Sequence, residues 1–373
     1  MTHSNRSALD FSRVFLADKK LIPQTLYLDF GRCYIAVDTN TEQLYSKLKA
    51  YFSAVHCSAP SDALAENVIS VTAIECAPPE LDVPFVDWAR ETGKTGRKDA
   101  FYDLADGRII KKVRTGMLFL QSRLNRIACG PCLKNESQVI NFINTQYMNW
   151  LQHKEWLICH ASAFVYQHKA IGVAAFSGGG KSTFMLKALD HPKVNYLTND
   201  RLFIKNDGAR CKAAGIPKLP RVNPGTIINN PALANILPPE RIAALRAIPK
   251  AQLWDLEEKY DVLIDEQYGE NRIESEAELE SLLVLNWRRD CKAPTQMSRV
   301  DIRQRADLLS AIMKSPGAFY SNPSGNFERQ PQQPSEHRYT DVLSGIKVYE
   351  VTGAVDFAAL KYLVFTQLLN IHE

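Results

Sequence analysis

The spacing of apolar positions changes several times along the chain, and each change marks an element. Residues 26–38 (LYLDFGRCYIAVD) carry β-branched and aromatic side chains on either side of a glycine, the pattern of two paired strands. From residue 42 to 55 the period lengthens, and Leu44, Leu48, Tyr51 and Phe52 share one face of a helix. Short strands are predicted at 68–74, 101–104 and 126–129, with 108–120 folded about a charged turn. Residues 137–152 read as an amphipathic helix, with Ile140, Ile143, Tyr147, Trp150 and Leu151 on one face and Asn135 or Ser137 as its cap.

From Trp156 the pattern is extended: 157–166, a polar turn at 167–169, then 170–176, which runs directly into glycines. Further apolar stretches lie at 194–204 and 282–285. The chain closes on a helix at 355–369, where Phe357, Leu360, Val364 and Leu368 form a stripe beneath an Asp356 cap. Residues 320–338 (YSNPSGNFERQPQQPSEHR) cannot bury enough apolar area to hold a core and are expected to form a mobile surface loop. A chain of 373 residues exceeds what one core usually fills. The expected organisation is therefore α/β throughout, with a small N-terminal α/β domain of unassigned role at 1–134 and a second domain at 135–373.

The chemistry concentrates in residues 171–189 (IGVAAFSGGGKSTFMLKAL), an apolar strand, a glycine loop ending in Lys-Ser-Thr, and a helix. Ser177, Gly178, Gly179 and Gly180 would turn backbone amides toward phosphate oxygens, because glycine adopts positive φ and permits close approach. The helix N-terminus adds unpaired N–H groups. Lys181 would reach the β and γ phosphates of ATP, Ser182 would coordinate Mg²⁺, and Thr183 would support the first turn. The usual first glycine of this pattern is Ala175 here. A carboxylate near the end of the next strand is also expected, and Asp200, after Asn199 in VNYLTNDRLFI, can hold Mg²⁺ beside the γ phosphate. A turn-forming Asn-Asp pair is the plainer reading.

Composition narrows the setting. The 45 basic and 41 acidic side chains leave a net charge of +4, too mild and too dispersed to predict a nucleic-acid or membrane partner. No apolar run approaches the ~20 residues that span a bilayer, and the first residues lack a signal core, so a cytoplasmic location is expected. The eight scattered cysteines read as reduced thiols.

No LSGGQ-like signature, strand ending in Asp-Glu, or Asn-Lys-x-Asp sequence is present, which argues against ABC-type ATPases and GTPases. The chain resembles the HPr kinase/phosphorylase superfamily, and within it the HPr-kinase-related proteins, including those called HprK-related kinase B. The likeness rests on Cys159-His160-Ala161, the hairpin feeding the loop, SGGGKST, the Asn199-Asp200 pair, and LLVLNW at 282–287. It implies an HPr-kinase/PEP-carboxykinase-like P-loop fold and an Mg-ATP-dependent kinase acting on a hydroxyl, with a protein serine as the suggested acceptor.

By the same resemblance His160 would lie near the transferred group, Lys181 and Ser182 would bind ATP and Mg²⁺, and Asp200 would help hold the metal. The family's first aspartate is Asn199 here, and an amide cannot accept a proton as a carboxylate can. His160 or another acid must then act as base, or positioning and charge neutralisation carry the rate; phosphorylase activity is doubtful. A strand-end histidine also serves commonly as a structural residue. A noncatalytic ATP-binding regulatory module and a simple ATPase are the alternatives, and self-association is left open.

Other stretches hold less. Lys218 and Arg221 in KLPRVNPG could contact a substrate phosphate or form a rigid solvated turn. Asp255, Glu257 and Glu258 in LWDLEEKYD offer a fallback base or a solvated face. Cys129 and Cys132 in CGPC match thioredoxin wording without its frame, and the loop at 93–98 (GKTGRK) reads as a connection.

Overall fold

The computed structural model describes residues 6–61, 67–90, 96–176, 178–249, 252–253, 256 and 258–371. The chain forms two compact units, Met1–Glu155 with Ser315–Gln333, and Trp156–Lys314 with Pro334–Glu373.

The first unit is built on a nine-stranded sheet. Its strands are β1 (Thr25–Asp29), β2 (Tyr34–Thr39), β3 (His56–Cys57), β4 (Val68–Glu75), β5 (Val86–Asp87), β6 (Asp99–Asp103), β7 (Gly107–Lys112), β8 (Leu118–Ser122) and β9 (Arg126–Gly130), in the order β3-β1-β2-β4-β9-β8-β7-β6-β5. Pairing is parallel for β2–β4 and β4–β9 and antiparallel elsewhere. The predicted pair at 26–38 is β1 and β2, in register from Thr25↔Asp38 to Asp29↔Tyr34.

Helix α1 (Ala8–Leu16), started by a Ser7–Asp10 capping box, lays Phe11 and Phe15 on one face of this sheet against Ile74, Ile109, Leu118 and Leu120. Helix α2 (Glu42–Tyr51) makes the crossover between the parallel strands β2 and β4, capped by Thr41 and burying Leu44 and Leu48.

Helix α3 (Glu136–His153) belongs to this unit, so the division falls after Glu155 and not at the expected 134/135. The reason is aromatic packing: Phe142 lies 5.0 Å from Phe119 on β8, and Tyr147 lies 4.9 Å from Phe30. Asn135 holds the cap position, but its amide donates to Pro131 O instead of accepting from the helix.

Residues 315–333 also return to this unit. Ala318 O accepts from the buried Arg108 guanidinium at 3.2 Å, Phe319 O accepts from Asn149 at 2.9 Å, and the Phe319 ring packs on Phe119 and Phe142 at 5.4 and 5.6 Å. The stretch expected as a loop at 320–338 is mostly exposed, yet Ser321 bridges Phe327 and a helix, Glu336–Leu343, begins inside it.

The second unit carries another nine-stranded sheet. Strands β10 (Leu157–Cys159), β11 (Ala161–Tyr166), β12 (Lys169–Ala175), β13 (Val194–Thr198), β14 (Leu202–Asn206), β15 (Cys211–Ala214) and β18 (Glu276–Leu285) follow the order β10-β14-β15-β18-β12-β11-β13; β20 (Lys347–Thr352) pairs β18, and β19 (Gln296–Val300) pairs β20. The two remaining strands, β16 (Arg221–Val222) and β17 (Tyr260–Asp261), pair only with each other.

Central β12 is buried on both faces. Ile171, Val173 and Ala175 join α4 (Lys181–Leu189) and the C-terminal helix Phe357–Gln367 in one core, while Ala170 and Ala174 join Leu309, Ile312, Tyr339 and Leu343 in another. The sheet therefore lies between helical layers. No helix among the described residues is long and apolar enough to cross a membrane.

Candidate functional site

β12 brings the chain to the glycine loop. It runs parallel to β18 with Ala175 opposite Leu285, and β18 runs parallel to β20 with Leu285 opposite Val351. The loop thus leaves at the carboxyl ends of parallel strands, where open α/β sheets form their binding crevice. Gly178 and Gly180 have φ of 74° and 90°, in the left-handed region that favours glycine.

Close approach adds a second requirement. A Cβ on Gly179 would stand 2.7 Å from the Ala175 methyl, and one on Gly180 would stand 2.5 Å from the Phe357 ring. The first contact explains why alanine is accepted at 175: its methyl fills the space that Gly179 leaves. Gly179 is further held by its N–H on Phe176 O at 2.9 Å and by Trp287 Nε1, which donates to Gly179 O at 2.8 Å. Helix α4 starts at Lys181 with Gly180 as N-cap and no side chain capping it, which leaves first-turn amides for a ligand. Ser177 lies outside the described residues.

Two strand breaks meet Lys181. The extended run at 157–166 is interrupted at His160: β10 pairs β14, β11 pairs β12 and β13, and His160 N donates to Ile312 O at 2.7 Å. The run at 194–204 is interrupted by Asn199, Asp200 and Arg201, with Asp200 at φ 68°. His160 Nε2 lies 2.9 Å from Lys181 Nζ and 3.0 Å from Asp200 Oδ1, and Lys181 Nζ lies 3.6 Å from the same oxygen. Asp200 Oδ2 accepts from the Arg201 guanidinium. Asn199, 7% exposed, accepts through Oδ1 from Ser182 Oγ at 2.7 Å and from the buried Ser162 Oγ at 2.9 Å. Thr183 and Thr226 hydroxyls lie 2.8 Å apart.

Burial alone would raise the Asp200 carboxyl, but the Arg201 charge, the His160 hydrogen bond and the Lys181 charge outweigh it, and the group is held far below the usual carboxylate range. Burial lowers the Lys181 ammonium, with Asp200 opposing and Arg201 and Lys314 assisting. Burial likewise lowers the Lys218 ammonium, with Arg201 assisting and Asp200 opposing. Arg221 is engaged elsewhere, with Asp261 at 3.1 Å.

Glu258 is occupied by Arg241 at 2.7 Å and by the Tyr260 hydroxyl at 2.7 Å, while Asp255 and Glu257 lie outside the described residues, as do Gly93, Lys94 and Thr95 of the basic loop. Cys129 faces Cys76, with sulfurs 3.5 Å apart, and Cys132 donates to Ile74 O at 3.2 Å. Burial pushes both the Cys129 and Cys132 thiols well above their ordinary range, which removes the thiolate a redox pair requires.

Sequence reasoning did not single out Arg201, Ser162, Thr226 or Phe357 for the site. The first two sit beside residues that it did choose, at LTNDR and CHAS; nothing in the spacing joins Thr226 to Thr183 or Phe357 to Gly180. Two concavities, of about 440 and about 610 Å³, share Arg289, Val355 and Phe357, the smaller reaching Gly178, Gly179 and Gly180 and the larger reaching Thr183, Lys187 and Asn229. A space that a Cβ would fill, free helix amides, a lysine and a serine hydroxyl are a donor set that suits a nucleoside triphosphate. Among the described residues no group of three or more His, Cys, Asp or Glu side chains forms a metal site. Ser182 with Asp200 suits instead a divalent ion that takes its remaining ligands from phosphate and water.

No family model and no curated protein matches the chain. Among solved structures it matches the Hpr(Ser) kinase/phosphatase from Coxiella burnetii at 10% identity and a TM-score of 0.29, over 57% of this chain and 91% of that one. A likeness at that level decides neither fold nor activity.

Proposed function

We propose that the second unit transfers the γ phosphoryl group of ATP to a hydroxyl, with a protein serine as the acceptor class that the sequence resemblance suggests. The reading rests on the meeting of Lys181, His160 and Asp200, all within 3.6 Å, beside a loop in which Gly179 and Gly180 approach their neighbours too closely for a Cβ. Gly178, Gly179, Gly180 and the first amides of α4 would bind phosphate oxygens, with base and ribose entering the concavity lined by Arg289, Val355 and Phe357. Ser182 and Asp200 would hold Mg²⁺, which when bound supplies charge neutralisation on the triphosphate.

Lys181 would exchange its contact with His160 for the phosphates. With the ring proton carried on Nδ1, that exchange leaves the Nε2 lone pair to take the acceptor's proton, and the imidazolium so formed then donates from Nε2 to the Asp200 carboxylate. Asn199 does no proton transfer in this scheme, since its oxygen is already shared by two hydroxyls; it positions Ser182. The reaction is assigned to the cytoplasm, without a nucleic-acid or membrane partner.

Asn199 also favours a second reading, a nucleotide-dependent regulatory module, because the position that would carry a proton acceptor holds an amide. Full-length protein incubated with γ-labelled ATP, Mg²⁺ and serine-bearing acceptors separates the two. Labelled acceptor that disappears with Lys181→Ala supports the kinase, and tight ATP binding without transfer to any acceptor supports the switch.

A further inference from the structure

Three of the eight cysteines gather where β4 and β9 end side by side in the first unit. Parallel pairing sets Ile74 opposite Cys129 and Glu75 opposite Gly130, and the ladder continues with Cys76 N donating to Gly130 O at 3.0 Å. Side chains alternate along a strand, so Cys76 falls on the face of Ile74, and it packs on the apolar cluster that holds Ile74 and Cys129. Its sulfur lies 3.5 Å from Cys129 Sγ. The junction is held in place: Asn40 Nδ2 donates to Glu75 O at 2.9 Å, Asn40 Oδ1 accepts from Glu75 N at 2.8 Å, and the Glu75 carboxylate accepts from Leu133 N at 2.6 Å.

The three thiols differ in access and in freedom. Cys129 and Cys132 are buried, whereas Cys76 is partly exposed. Burial keeps the first two as thiols, so neither begins an oxidation. Helix α1 covers Cys129, with Phe15 O 4.0 Å from its sulfur, and Cys132 is engaged on Ile74 O at 3.2 Å. Cys129 is also fixed inside its strand, paired with Leu118 on β8 and with Ile74 on β4. Cys76 lies one residue past β4, so the approach from 3.5 Å to the ~2 Å of a sulfur–sulfur bond falls to its side chain. A dissolved oxidant meets Cys76 first, and the sulfur beside it is that of Cys129.

We propose that Cys76 is a site of reversible oxidation by hydroperoxides, with Cys129 as the thiol that resolves it into a disulfide. The Cys76 thiolate attacks the terminal peroxide oxygen and the O–O bond breaks. The other oxygen leaves as water or an alcohol, on taking up the proton that Cys76 gave up, and Cys76 holds a sulfenic acid. Cys129 sulfur then displaces that hydroxyl, which departs with the Cys129 proton as water. Two thiols have lost two electrons and the peroxide has gained them. The bond joins the ends of the segment that carries β5 to β8. The site is independent of the nucleotide reading.

Peptide mapping of the folded full chain tests it. Stoichiometric hydrogen peroxide should lower the intact mass by about 2 Da, two hydrogen atoms, and dithiothreitol should restore it. After alkylation of the remaining thiols, a nonreducing digest should give one major linked peptide, Cys76 with Cys129. Cys76→Ser should abolish the linkage, and Cys129→Ser should leave a sulfenic acid at Cys76 that dimedone labels. Cys132→Ser should leave the linkage in place. The parent protein alone is enough to overturn the proposal, whatever the variants do to folding. A major linkage that joins Cys76 or Cys129 to another cysteine, a Cys76 driven to sulfinic acid without a linkage, or a Cys76 left unoxidised by excess peroxide would each do so.

Discussion

At the glycine loop the charged side chains answer one another. Lys181, His160 and Arg201 all reach the two oxygens of Asp200, and Ser182 is held by Asn199. In a cavity of the first unit, Arg90, Lys98, Lys112 and Arg114 arrive from separate segments, and Lys112 pairs with Asp99. The difference is one of interlocking: at the loop the charged groups bond one another directly. A site whose charges are already paired binds a polyanion by exchanging contacts, so its substitutions should act on rate and on the fold around it. Substitutions of exposed side chains around the first unit's cavity, such as Arg114, should leave both the fold and the chemistry of the loop alone.

The largest expected effect is that of Lys181→Ala, a loss of phosphoryl transfer on the order of 10²–10³-fold, the scale of removing one preorganised charge donor. Arg114→Ala measured in the same assay should leave transfer unchanged; a comparable loss there would erase the distinction between the two regions. His160→Ala should follow, with turnover down on the order of 10²-fold and ATP affinity by calorimetry nearly intact, since the imidazole is assigned to the acceptor's proton. A fall in affinity alone would make His160 a binding residue.

Backbone geometry gives a smaller effect. Gly180→Ala adds a methyl 2.5 Å from the Phe357 ring at a φ of 90°, whereas Gly178→Ala meets nothing within 4 Å at a φ of 74°. Thermal unfolding should show a loss of about 1–3 kcal/mol for the first, from overpacking added to strain, and about 1 kcal/mol for the second, from strain alone. Equal losses would mean that Phe357 yields and the loop is less closely held than its contacts imply.

The pH response is smaller still. Asp200 titrates below its ordinary value of 3.8 in the folded chain, so its stabilising contribution is complete above that value and is lost as pH falls through the folded value. Melting temperatures followed from pH 7 to pH 2 should therefore show a steeper acid decline in the parent protein than in Asp200→Asn. Parallel curves would mean that Arg201 and Lys181 do not hold the carboxylate as described.

Much of the architecture could be read from local pattern. The strand pair at 26–38, the helices beginning near 42 and 137, the hairpin entering the loop and the Asp356 cap all follow from periodicity and capping, which act over a few residues. The division between units could not, because the apolar stripe of α3 fits the face of either sheet. Phe119 and Phe30, far back in the chain, settled where it packs. The same holds for residues 315–333, whose composition predicts exposure but not the carbonyl contacts with Arg108 and Asn149.

The sequence by itself determined the glycine loop, since strand, amide cradle, lysine and helix start are consecutive and their geometry is local. It also marked His160, Asn199 and Asp200, though not their relation. Only the tertiary structure decided that two strands break where they change partner, that both breaks open onto Lys181, and that Asn199 holds Ser182. It alone assembled Arg90, Lys98, Lys112 and Arg114 opposite α3. Such convergence depends on strand order and helix packing between residues far apart in the chain, and spacing along one dimension carries no record of it.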